Sequence, residues 1–190
     1  EQIFFKDIPL LREMPPLKFS VAYMKGRENY LCRRRFQIFG QQPLFRVLEE
    51  SSLFEEVIAW ASRTQTGDRS ELGGIPDDFS TWAEICCSRD HCLGTECTEY
   101  KRCFLTRMRQ AAAEAQVIVV NHHLFFADLA VRDAGGEVIP RYKRVVFDEA
   151  HQLEEVITAH FGLSVSNYRF EELARDVSRE LLKGKRPRLD

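Results

Sequence analysis

The stretch CLGTECTEYKRC places Cys92, Cys97 and Cys103 with four and then five residues between them, while Cys32, Cys86 and Cys87 stand upstream. Thiolates grouped in this way can ligate a metal, and in a reducing compartment that use is favoured over structural disulfides. Structural zinc sites favour pairs about two to four residues apart, often two such pairs, and the gaps here do not follow that pattern. Iron–sulfur clusters take four thiolates with more varied gaps, and one ligand can lie far away in the chain. Spacing leaves Cys32, Cys86 and Cys87 open as the fourth. A plainer alternative treats them as small buried hydrophobes. His91, His122 and His123 could also bind metal, but histidines near strand ends read more simply as hydrogen-bonded structure.

A second stretch that could do chemistry is VVFDEAH, where an apolar run ends in Asp148, Glu149, Ala150 and His151. Ligands of open α/β sheets gather at the carboxyl ends of strands, so adjacent carboxylates there suit a cation and a reacting phosphate. One carboxylate can hold Mg2+ through its water shell. The other can orient or deprotonate the water that attacks a terminal phosphate. The bland alternative is an acidic helix start that favours the helix dipole. No phosphate loop G-x-x-x-x-G-K-[ST] accompanies the box: the Gly184-Lys185 pair has Arg179 where the first glycine should be and Arg186 after the lysine.

Positioning these residues requires regular elements around them. LKFSVAYMKG alternates Phe19, Val21 and Tyr23 before Gly26, which predicts a strand. AQVIVVN and KRVVFDE are β-branched and aromatic runs of the kind buried on both faces of a parallel sheet, so the core is predicted to be α/β. Residues from Leu44 to Ala61 suit two short helices, with Ser52 and Glu55 at capping-box spacing. Phe79, Trp82 and Ile85 suit an amphipathic turn leading into the cysteines. Phe104, Met108, Ala111, Ala112 and Ala115 mark a helix with small residues for close packing. EEVITAHF and YRFEELARDVSRELLKG read as helices, the latter with Ser166 as cap and Gly184 as stop.

Composition is that of a folded chain: 190 residues, 44% hydrophobic and 29% charged. No run approaches a membrane span of about 18 apolar residues, and the first residues lack the order of a secretion signal. The expected compartment is the cytoplasm. Charge is uneven: Lys25, Arg27, Arg33, Arg34 and Arg35 stand against Glu28 alone, whereas residues 49–90 hold ten acids and three bases. The first group could be a basic strip for phosphates or a solvated face.

Taken together, KGRENYLC, CLGTECTEYKRCF, VIVVNHHLFFADL and VVFDEAHQLEE resemble, in order and spacing, the iron–sulfur DNA helicases of the DinG and XPD family, most closely its bacterial DinG/YoaA branch. The resemblance implies a partial RecA-like motor domain with an inserted, mainly helical iron–sulfur cluster domain. Its implied boundaries are motor at 1–31, cluster domain at 32–114, motor with the DEAH box at 115–160, and the start of an Arch-type domain at 161–190. It implies that Cys32, Cys92, Cys97 and Cys103 hold a 4Fe-4S cluster, while Cys86 and Cys87 match no ligand position. It also implies Asp148 toward Mg2+, Glu149 toward water, and His151 linking nucleotide state to the motor. The implied parent is an ATP-dependent 5′-to-3′ helicase of DNA repair acting on single-stranded DNA and DNA junctions, guided by Lys25, Arg27, Arg33, Arg34 and Arg35. These 190 residues lack the family's phosphate loop and second motor domain, so they resemble a fragment with no turnover of its own. A stand-alone iron–sulfur or zinc module and a DEAH-box RNA helicase are the competing readings.

Overall fold

The computed structural model describes residues 2–15, 18–46, 49–133, 135–162 and 171–178. Its helices, in chain order, are α1 (Ile8–Glu13), α2 (Arg33–Gln41), α3 (Glu49–Arg63), α4 (Trp82–Ile85), α5 (Phe104–Glu114), α6 (His122–Asp133) and α7 (Leu153–Phe161). Two strands, β1 (Val21–Tyr23) and β2 (Val117–Val119), pair in parallel with Val21 opposite Val117. Parallel neighbours need a long crossover connection. Here the whole cysteine-bearing region lies within that crossover, and helix α5 closes it by packing on β1.

The chain divides into two compact units, 1–147 and 148–190. Two apolar clusters build the first. The larger draws on Tyr30, Leu31, Phe54, Trp60, Trp82 and Phe104, with Phe36, Phe39 and Phe45 packed around Phe54. The smaller gathers Ala22, Met24, Ala112, Leu124 and Ile139. Helix α5 serves both, because Phe104 and Leu105 at its start join the first cluster and Ala112, fully buried, joins the second. The expected helix of small residues is therefore present, and the absence of bulk at Ala112 lets the helix lie close to β1.

Other expectations need correction. Residues 49–63 form the single helix α3, and Ser52 lies inside it, its hydroxyl donating to the Glu49 carbonyl at 2.8 Å instead of capping an N-terminus. The Lys143–Phe147 run is irregular, not a strand, and Val146 is 95% exposed. Its apolar side chains suit a buried strand, but among the described residues no third strand offers it backbone partners, and an unpaired run has no ladder to hold it. The strand at the start of the chain is also shorter than LKFSVAYMKG suggested.

Asp128 of α6 is fully buried. Its carboxylate pairs with Arg132 at 2.6 Å and accepts the Val138 and Ile139 N–H groups at 2.8 and 2.9 Å. That tie folds the segment after α6 back onto the smaller core. In the second unit, α7 carries Glu154 and Glu155 in its first turn, where the helix dipole favours them. A further helix occupies 171–178. The expected cap Ser166 and stop Gly184 lie outside the described residues.

Candidate metal centre and acidic box

Cys32 is the N-cap residue of α2 and Cys103 that of α5. Neither side chain closes a full cap hydrogen bond, yet both sulfurs face the first N–H groups of their helices, where the positive end of the dipole favours a thiolate. A third sulfur completes the arrangement. The chain enters an antiparallel bridge between Leu31 and Cys86, with Cys32 N–H donating to Ile85 at 2.9 Å and Cys87 N–H to Tyr30 at 2.8 Å. This pairing sets the Cys87 thiol beside both Cys32 and Cys103. Hydrogen bonding from Cys87 lowers Cys32 to about 6 and Cys103 to about 5, against the opposing effect of burial, with helix N–H groups adding to the shift. Cys87 is driven the other way, held as a thiol by hydrogen bonds to Cys103 and Cys32 and by burial. Burial likewise raises Cys86.

Cys92 and Cys97 sit on a loop with a short 3-10 turn at Gly94–Glu96, where Gly94 takes a φ of +56° that a side chain would resist. With Cys32, Cys87 and Cys103 they line one cavity of about 280 Å³. Arg34, Arg35, His91 and Arg109 line it too. His91 accepts or donates through Nδ1 to the Ser88 hydroxyl at 2.8 Å, the hydrogen-bonded role expected of it. The structure thus brings Cys32 to the three clustered cysteines across more than 50 residues, something spacing could not decide, and it leaves Cys86 outside the cavity lining. It also adds Cys87, which the motif match passed over.

Whether these donors fit a four-iron cluster turns on their arrangement. No three His, Cys, Asp or Glu side chains among the described residues are gathered to hold a single metal ion. In a four-iron cluster each thiolate takes a different iron, so its ligands stand apart around a cavity. Five cysteines line the cavity of about 280 Å³, and thiolates are the donors that such a cluster takes.

The basic residues are less open than the sequence suggested. Lys25 is buried, its ammonium paired with Asp68 at 2.9 Å and donating to Ser70 at 2.8 Å, which ties the end of β1 to the loop before α4. Arg33 donates to the Arg102 carbonyl, Arg34 to that of His91, and Arg35 to that of Cys86. Arg27 lies half-buried in a short 3-10 turn.

In the second unit the acidic box is a bend followed by a 3-10 turn, Ala150–Gln152, that leads into α7. Glu149 has a φ of 49°, and no other non-glycine among the described residues is left-handed. Such a conformation costs an ordinary side chain about 1–2 kcal/mol and concentrates at functional sites. It turns the Glu149 carboxylate toward His151, 3.3 Å from Nδ1. Asp148, Glu149 and His151 are thereby gathered on one exposed turn.

Comparison with known proteins points to DNA helicases. Residues 90–170 match the DEAD_2 family. The chain is 37% identical to the ATP-dependent DNA helicase YoaA of Escherichia coli over 94% of its own length and 28% of that protein's. It is 36% identical to the YoaA of Haemophilus influenzae over 94% and 28%. With the ATP-dependent helicase DinG of Mycobacterium tuberculosis it shares 31% identity over 94% and 29%. It therefore spans under a third of the length of these relatives. A DEAD_2 match over residues 90–170 and this degree of identity along nearly the whole chain support a DinG-like helicase fragment.

Proposed function

We propose that this chain is the part of an ATP-dependent DNA helicase, moving 5′ to 3′, that carries a 4Fe-4S domain and the Mg-ATP acidic box. The observation that carries the reading is the cavity on which Cys32, Cys92, Cys97 and Cys103 converge within the β1–β2 crossover. A cluster bound there would tie the loop of Cys92 and Cys97 to the starts of α2 and α5, and it would supply that cross-link whatever its redox use. In the motor, Asp148 would hold the cation, Glu149 would orient and deprotonate the attacking water, and His151 would pass the state of Glu149 onward. Their adjacency on one strained turn supports a shared task. Single-stranded DNA and junctions are the proposed substrates, with Arg27 and the exposed Lys101, Arg102 and Arg107 offering cations to the backbone. With no phosphate loop in these 190 residues, turnover belongs to the longer protein.

Elemental analysis tests the reading. Protein purified without oxygen should be brown and contain iron and acid-labile sulfide in near-equal amounts, and Cys32→Ser, Cys92→Ser, Cys97→Ser and Cys103→Ser should each lose them. Stoichiometric zinc without sulfide would overturn it.

A further inference from the structure

We infer that Arg33, Arg34 and Arg35 form a clamp that positions the cysteine loops around the cavity and supplies positive charge to the group held there. The inference rests on the cluster reading above. Each guanidinium reaches 51 to 69 residues along the chain to a backbone carbonyl, and each carbonyl belongs to the residue just before a cysteine. Arg33 Nε donates to Arg102 at 3.0 Å, before Cys103; Arg34 Nη2 to His91 at 2.8 Å, before Cys92; and Arg35 Nη1 to Cys86 at 2.8 Å, before Cys87. Successive side chains on a helix leave its axis roughly 100° apart, so three in a row fan across most of a turn. Three segments arranged around the start of α2 are what such a fan can grip.

Charge argues in the same direction. The first turn of α2 holds three cations and no acid, the opposite of what the helix dipole favours. Arg33 also has Arg102 and Arg107 as neighbours, with Glu99 the acid near it, and its guanidinium lies 4.1 Å above the Phe104 ring. Arg34 and Arg35 line the cavity itself. Cations accumulated at that cost to the helix are offset when an anion of several thiolates occupies the cavity. A planar guanidinium suits both tasks, since one edge can hold a carbonyl while the charge remains over the cavity.

The full-length protein, reconstituted with iron and sulfide, provides the test. Arg34→Gln is expected to release iron to a chelator about 10- to 100-fold faster, as loss of outer partners does at other metal sites. It is also expected to make the reduction potential more negative, since the reduced cluster carries an extra negative charge that the guanidinium stabilises. Arg34→Lys, which keeps the charge and one donor, should restore most of the potential and part of the iron retention. Arg33→Gln should act alike from the Cys103 side. Unchanged iron release and potential in both Gln variants would overturn the clamp. So would a fall of about 0.7 in the salt slope of single-stranded DNA binding with cluster properties intact, because the arginines would then be phosphate contacts. Faster iron loss at an unaltered potential would remove the charge role and leave a plain brace. Wild-type protein without iron and sulfide would instead remove the underlying cluster reading, a failure visible before any variant is made.

Discussion

Replacing Gly67 by Ala should unfold the cysteine-bearing core at markedly lower denaturant. Gly67 has a φ of +66°, and a Cβ there would lie 2.3, 2.4 and 2.8 Å from three ring atoms of Phe104. The left-handed backbone costs a non-glycine residue about 1–2 kcal/mol. Relief of the clash is restricted on both sides. Phe104 is 1% exposed beneath the Arg33 guanidinium, and Gly67 is pinned by its carbonyl to Leu31 N–H and by its own N–H to Thr64, both at 2.9 Å. Overpacking of this kind costs about 1–3 kcal/mol, so the two effects sum to roughly 2–5 kcal/mol. At a urea m-value of about 2 kcal/mol/M, the midpoint should fall by about 1–2.5 M. The two tryptophans of the sequence, Trp60 and Trp82, both sit in this core with their rings 6.2 Å apart, so their fluorescence reports on it. Because Phe104 follows Cys103 directly, the variant should also retain iron poorly. Gly40→Ala gives the opposite control: it lies inside α2 with nothing within 4 Å of the added methyl, and should stabilise by up to about 1 kcal/mol. A Gly67→Ala midpoint within about 0.25 M of wild type, about 0.5 kcal/mol at that m-value, would refute the reasoning.

In the metal-free protein, the lowered Cys32 and Cys103 pKa values make stability pH-dependent. The thiolate contribution is full above the unfolded thiol value and is lost as pH falls through about 6 and then about 5, so alkylation of these two by iodoacetamide and the unfolding midpoint should both decline over that window. Equal alkylation rates for Cys32 and the buried, raised Cys86 at pH 7 would contradict this. In the full-length protein, Glu149→Gln should lower ATP hydrolysis about 100- to 10,000-fold while iron content and DNA affinity remain, whereas near-normal turnover would return Glu149 to a structural role.

The DEAH tetrapeptide, the four-and-five cysteine gaps and the helical recurrence from Phe104 to Ala112 are local in sequence, and local chemistry explains them. Motif and period are written within a few residues of one another, so the α5 helix and the β1 and β2 strands were legible. Other features depended on residues far apart. KRVVFDE has the composition of a buried strand, but strands exist only in pairs, and among the described residues it has no partner. Lys25 and the three arginines were legible as positive charge, while the acceptors they turn toward lie more than 40 residues away.

Sequence by itself determined which side chains could act: six thiols, one acidic box and one basic run, together with the period of most of the elements that carry them. Tertiary structure decided which thiols meet. The Leu31–Cys86 bridge brings Cys87 beside Cys32, the starts of α2 and α5 set Cys32 and Cys103 where helix N–H groups favour the thiolate, and the arginine fan ties down the remaining loops. The physical reason is that composition and period act through neighbours along the chain, whereas a thiol's protonation and a cation's partner are set by groups within a few ångströms in space, brought there only when the crossover closes.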